Sequence, residues 1–316
     1  MHTHDALQRR NRYRPSSTGK RVTLKDRDLQ WLVLIARHGP LPSHFLHAAT
    51  AASFPNTKAA RMRLTDLVSE TNTLHGGAYL ERPPMQRGIE NARNRSLIYD
   101  LSDKGWLALG LRRADIVRAN GPFRHQVMVA CVTASIEIAC MARDDVDYIP
   151  ADRFLPDADC LGIDLMIANL VSGNQERHRL VPDQLFALAY HSQQGTTYRA
   201  YCVEGDRATE PITSPSLARK SYLKSYLQYR TLVSTGLYQD RFGLKCPLMV
   251  LNVMSNQGRA QRFQELVQRH SANGNAYMLF RTIPEFAEST APSNVLNDLL
   301  SAPWERADQP PISLLA

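Results

Sequence analysis

The chain of 316 residues contains no run approaching eighteen consecutive apolar residues, so no membrane span is expected. Its opening stretch, MHTHDALQRRNRYRPSSTGKR, has no apolar core of the signal-peptide kind. The five cysteines (Cys131, Cys140, Cys160, Cys202 and Cys246) are odd in number and scattered, and no CxxC pair occurs. That argues against a disulfide framework or a zinc site, and for reduced thiols in a cytoplasmic protein. Neither GxGxxG nor GxxxxGKS/T is present, so nucleotide binding of those two kinds has no support.

What is present is an uneven distribution of charge. Residues 1–125 hold 21 of the 38 Lys and Arg but only 10 of the 30 Asp and Glu, a net of +11, and the remainder carries −3. Six of those cations (Arg9, Arg10, Arg12, Arg14, Lys20 and Arg21) belong to a polar tail, yet residues 22–125 stay positive without them. A basic N-terminal module beside a mildly acidic one points to a polyanion partner at the N-terminal end. The plainer reading is a solvated basic surface.

Residues 1–20 read as a disordered basic tail. Thr23, with Asp26 three residues on, predicts the start of a first helix, and Gly39-Pro40 its end. A second short helix is expected from near Ser43, and a third after Asn56 or Thr57. The third buries Ala60, Leu64, Leu67 and Val68 and presents Lys58, Arg61 and Arg63 on its other side. Two short strands follow, near 78–82 and 96–101, around a basic loop, and Ser102 caps another helix. Three helices and then a hairpin is the order of a winged helix-turn-helix. The basic face of the third helix would enter a groove, and Arg82, Arg87, Arg93 and Arg95 would approach phosphates.

After a linker near 113–121, GPFRHQVMVACVTASIEIACMAR predicts a well-buried helix in which Glu137 stands out. Strands, a helix at SYLKSYLQYRTLVSTG, a strand at CPLMVLNVMS, a helix at RAQRFQELVQRHS and a strand at AYMLFRTI complete a mixed-sheet domain. The expected organisation is a tail over 1–20, a DNA-binding domain over 21–118, a mixed-sheet domain over 119–288 and an irregular Pro-rich tail over 289–316. The fold class is α/β, or α+β taken overall.

Within the second domain, RLVPDQLFALAYHSQQGTTYRAYCVEGDRATEP reads as a hairpin with three acids at its open end, Asp183, Glu204 and Asp206. Pairing about Gln194 sets Asp183 opposite Gly205, one residue from Glu204. Cross-strand neighbours lie roughly 5 Å apart and diagonal ones roughly 7–8 Å. Two carboxylates that close repel unless a cation lies between them, and Mg²⁺ or Mn²⁺ with one or two carboxylates could polarise a phosphodiester. The pattern P-D, about twenty residues, E-x-K marks a large nuclease superfamily, and here Asp206 stands where the lysine belongs. Lys220 or Lys224 could supply the cation, and Glu137 a further metal ligand. Against this stands the reading of Asp183 and Glu204 as strand-end caps or as partners of Arg199 and Arg207. Tyr222, Tyr226 and Tyr229 read as core or interface, and Arg259 and Arg262 as phosphate contacts or solvated positions.

LKDRDLQWLVLIARHGPLPSHFL, IYDLSDKGWLALG, FRHQVMVACV, VPDQLFAL, VEGDRATEP, RKSYLKSYLQY and VLNVMSNQGRAQRFQELV, in that order, resemble the replication-relaxation proteins of plasmids and integrative elements. The resemblance covers most of residues 22–286. It implies a winged-helix domain joined to a restriction-endonuclease-like domain, and a role in plasmid replication or DNA transfer. C-class mobilisation relaxases are similar in the second domain and use acids there to nick a transfer origin. Asp183 and Glu204 match that acidic site, Asp206 the acid of an E-x-D pattern, and Lys220 a helix lysine.

Three functions follow as expectations. One is a duplex-DNA-binding protein whose second domain is a scaffold, acting as a homodimer or with relaxosome or replication proteins and without a membrane. Another is a metal-dependent nickase using Asp183 and Glu204. A third is a transcriptional repressor.

Overall fold

The computed structural model describes residues 13, 15–88, 95–155, 161–170, 173–207, 210–214, 216–272 and 274–315. The fold is α+β. Two compact units divide inside one helix: Met1–Ile138 with Thr290–Leu296, and Ala139–Ser289 with Asn297–Ala316.

In the first unit α1 spans Asp26–His38. Its first turn is held by Asp28, which accepts from the Lys25 amide at 2.9 Å, rather than by the Thr23 and Asp26 expected from sequence. The helix stops at Gly39, whose φ of 114° is costly for any side-chain-bearing residue. The two-residue strand β1 (Leu41–Pro42) and α2 (Ser43–Thr50) follow. Next is α3 (Thr57–Ser69), capped by Asn56, whose side chain accepts from the Ala59 amide at 3.0 Å. β2 (Leu80–Glu81) and β3 (Ile98–Leu101) are antiparallel, and β1 pairs with the other side of β3 through Leu41 and Tyr99. The pairing by β1 was hidden in sequence, because two residues show no alternation.

Ser102 caps α4 (Asp103–Ala108) by accepting from the Gly105 amide. Gly105 packs so closely on β2 that a Cβ there would lie 2.2 Å from the Tyr79 carbonyl oxygen. Trp31, Leu32, Phe45, Leu64, Leu67 and Tyr79 form the core. The Trp31 indole donates to the Leu46 carbonyl at 2.6 Å, so the largest core residue leaves no polar atom unpaired.

Helix α5 (Phe123–Met141) is apolar all round and buried, as its composition predicts. In the first unit it faces α1: Thr133 Oγ1 lies 2.8 Å from His38 Nδ1. These contacts are why the compact unit runs past residue 118. The segment expected to be disordered, 1–20, is not wholly so. Residues 1–12 and 14 lie outside the described residues, but Ser17 and Thr18 donate to the buried Glu70 carboxylate at 2.7–2.9 Å. Led by the Thr18 amide, these donors pull its pKa down to about 2.

The second unit is built on a seven-stranded sheet. Its strands are β4 (Val146–Pro150), β7 (Gln184–Ser192), β8 (Gly195–Asp206), β9 (Leu248–Met254), β10 (Met278–Thr282), β11 (Trp304–Arg306) and β12 (Gln309–Ile312). They lie side by side as β12-β11-β10-β9-β8-β7-β4. β8, β9 and β10 are parallel and the outer pairs antiparallel, which is the mixed sheet expected. β5 (Ile163–Ala168) and β6 (Gln175–Leu180) form a separate antiparallel ribbon. Helices α6 (Tyr222–Ser234), α7 (Leu237–Phe242), α8 (Gln257–Arg269) and α9 (Glu285–Glu288) complete the unit.

The tail expected to be irregular instead folds into β11 and β12. Its consecutive prolines, Pro310 and Pro311, are tolerated because β12 is the outermost strand, where a missing donor breaks few ladder bonds. Among the described residues no helix is long and apolar enough to cross a membrane.

Candidate functional site

The turn between β7 and β8 is two residues long, Gln193-Gln194, with Ser192 paired to Gly195. Gly195 has a φ of 118°, which closes so short a loop. Opposed residues therefore sum to 387 rather than the 388 of a turn centred on Gln194. The paired register runs from Ser192–Gly195 to Gln184–Val203, and Asp183 lies just beyond its end, beside Val203–Gly205. The Asp183 amide donates to the Val203 carbonyl at 3.1 Å, and Asp183 Oδ2 accepts from the Gly205 amide at 2.8 Å. The acid is thus fixed to the backbone of the opposite strand.

Glu204 and Asp206 are two apart on β8 and so share one face of the sheet. Across the parallel ladder Glu204 aligns with Asn252 and Asp206 with Met254. With Glu210, Tyr222, Ser225 and Phe263 they line a shallow cleft. Helix α6 covers this face and contributes hydroxyls. Tyr229 donates to Glu204 Oε1 at 2.5 Å, and Tyr222 donates to Asp206. Arg259, at the start of α8, donates from Nε to the Tyr222 hydroxyl at 3.0 Å and lies 3.6 Å from Asp206 Oδ2. Both tyrosine rings are buried, as the sequence suggested, but their hydroxyls serve the acids. The signal was present as two periodicities: acids at i and i+2 on the strand, tyrosines at i and i+7 on the helix. Tyr226, between them, turns instead to the His270 carbonyl at 2.7 Å.

The electrostatics divide the acids. Burial, then the negative charge of Asp183, pushes Glu204 up to about 8, against the opposing pull of Lys220 and the Tyr229 hydrogen bond. Lys220 precedes α6, with Ser221 as the cap, so it is not the helix lysine the sequence suggested. Its ammonium lies 2.7 Å from Glu210 Oε1. Burial opposes its charge, but Glu204, Glu210 and Asp183 outweigh that and hold its pKa above the ordinary lysine range. Lys224 faces Glu176 on β6, and burial lowers its pKa. Asp183 and Lys220 thus act on Glu204 in opposite senses, while Asp206 is partnered by Tyr222 and Arg259.

Glu137 is engaged elsewhere. One carboxylate oxygen pairs with Arg37, and the other lies 2.5 Å from His38 Nε2. Burial raises its pKa, but His38 and Arg37 reverse the shift and leave it ionised and spoken for. Among the described residues no group of three or more His, Cys, Asp or Glu is placed to hold a metal ion. Asp183 and Glu204 each have one oxygen already accepting a hydrogen bond.

The basic residues of the first unit also separate. Lys58 and Arg61 are exposed, three apart on α3. Arg63 is not on that free face: it donates from Nε and Nη2 to the fully buried Asp28, and from Nη2 to the Thr23 carbonyl at 2.6 Å. Arg82 is buried against Tyr99, donating to its hydroxyl at 3.2 Å and to Thr65 Oγ1 at 3.0 Å, so its charge is turned inward. Arg87 lies in a 3₁₀ turn, Pro84–Gly88, Arg95 is exposed, and Arg93 falls outside the described residues. Apolar spacing cannot tell a phosphate-facing arginine from one that neutralises a buried acid, which is why Arg63 and Arg82 read alike with Arg61.

A model of the family described as Replication-relaxation matches residues 32–246. No curated protein and no solved structure matches the chain.

Proposed function

This chain belongs to the replication-relaxation family, and we propose that it acts as a duplex-DNA-binding protein in the replication or relaxation of plasmids or mobile elements. The observation that carries the reading is the exposed pair Lys58 and Arg61 on α3, in a half of the chain with a net charge of +11. In this reading α1, α2 and α3 with the β2–β3 pair form a winged helix-turn-helix. The free face of α3 meets the DNA, and Arg95, three residues before β3, adds a phosphate contact. The second unit is a nuclease-like scaffold. The test is the affinity of the full chain for labelled duplex DNA across a salt series. Replacing Lys58 and Arg61 by Ala weakens binding and makes the slope of log K against log salt shallower by about 2. An unchanged slope would sink the assignment.

A second reading is favoured by Asp183, which the Gly205 amide holds beside Glu204 at the open end of the hairpin. It is a metal-dependent nickase. Asp183 and Glu204 would hold Mg²⁺ or Mn²⁺, which supplies Lewis-acid polarisation of a phosphodiester when bound. Tyr229 would orient Glu204, and Lys220 would place a positive charge near the phosphate, in the role the usual strand lysine fills.

A further inference from the structure

The ribbon β5–β6 stands apart from the seven-stranded sheet and has two unlike faces. Ile163, Leu165, Ile167 and Leu180 are buried, and α6 anchors the ribbon through Gln228, which donates to the Arg179 carbonyl at 3.1 Å. The opposite face is polar. Arg177 and Arg179 are exposed, two apart on β6, and Asp164 and Met166 lie across from them on β5. Arg177 donates to Asp164 at 2.9 Å. That hydrogen bond first, then the charges of Arg177, Arg179 and the exposed Arg241 of α7, holds the Asp164 carboxylate below its ordinary range. Two guanidinium groups of β6 thus stand across from one carboxylate of β5, in a part of the chain whose overall charge is −3. Arg179 is held in place as well: its guanidinium lies over Gly162, where a Cβ would meet it at 2.2 Å.

We infer that the outer face of the β5–β6 ribbon binds the phosphate backbone of duplex DNA through Arg177 and Arg179. Guanidinium forks match phosphate oxygens two at a time, and a two-stranded ribbon is an element that DNA grooves admit. Among the described residues of this face one carboxylate stands against two guanidinium groups, a surplus of positive charge, while the buried face and Gln228 keep the ribbon in place before any ligand arrives. This inference rests on the DNA-binding reading above and adds a contact surface from the second unit.

The experiment is fluorescence anisotropy of the full chain with a fluorescein-labelled duplex across a sodium chloride series. Arg177→Ala with Arg179→Ala flattens the slope of log K against log salt by about 2. Asp164→Asn acts in the opposite sense and tightens binding, which keeps the inference testable should the double variant fold poorly. Suppose Lys58→Ala with Arg61→Ala weakens binding while the ribbon variants match the parent in affinity and slope. The inference is then overturned, the DNA-binding reading survives, and the face belongs to a protein partner. If the unaltered chain does not bind the duplex, both fall.

Discussion

The hydroxyl of Tyr229 donates to Glu204 Oε1 at 2.5 Å, so a fully buried ring on α6 fixes the carboxylate beside Asp183. The arrangement holds Glu204 in a setting that disfavours its charge, and this has a measurable consequence. Burial, followed by Asp183, raises its pKa from 4.5 to about 8. Between those values the folded chain keeps a proton that the unfolded chain gives up. The contribution to stability is therefore full below about pH 4.5 and is lost as pH rises through 8. Glu204→Gln removes this dependence. Thermal melts should show the variant gaining on the parent steadily from pH 5 to pH 9, and parallel curves would contradict the assignment.

Cation binding at the same pair gives a second prediction, specific to the nickase reading. Mg²⁺ or Mn²⁺ raises the melting temperature of the parent chain at pH 8, because a ligand for the folded state alone stabilises it. Asp183→Ala and Glu204→Ala each abolish that shift. With supercoiled origin DNA the parent yields nicked circles and the two variants do not. A parent that fails to nick, or variants that nick as well as it does, rules out catalysis by this pair.

Arg63 and Arg61 separate stability from DNA contact within one helix. Arg63→Ala leaves the fully buried Asp28 carboxylate without its guanidinium, and breaking a buried pair of this kind costs about 3 kcal/mol. Arg61 is exposed, so Arg61→Ala changes stability by less than about 0.5 kcal/mol. Urea denaturation of both variants distinguishes them, and equal midpoints would overturn the distinction.

Much of the fold was legible because its elements are amphipathic and capped. Asn56 and Ser102 announce α3 and α4, and the apolar run of α5 announces a buried helix. Strands without an apolar alternation were not legible. β6 reads QERHRL, and its charged outer side hides a half-buried strand; β12 reads QPPI, and its prolines argue against any strand. The candidate site was half legible. Sequence placed Asp183 and Glu204 near one another but set the register of the hairpin off by one residue, because SQQGT does not say which of its residues turn. It gave Tyr222 and Tyr229 as core and could not show that a helix crossing the sheet would bring their hydroxyls onto the acids.

The two consecutive prolines of β12 also bear on what the sheet can do in company. An outermost strand ordinarily offers a row of unused amides and carbonyls, a template onto which another chain can add and from which fibres grow. Pro310 and Pro311 lack amide hydrogens, and neighbouring residues of a strand point their amides to opposite sides. One of the two therefore blanks a position on the open side. On this flank the chain carries its own stop against polymerisation, written into the last residues it folds.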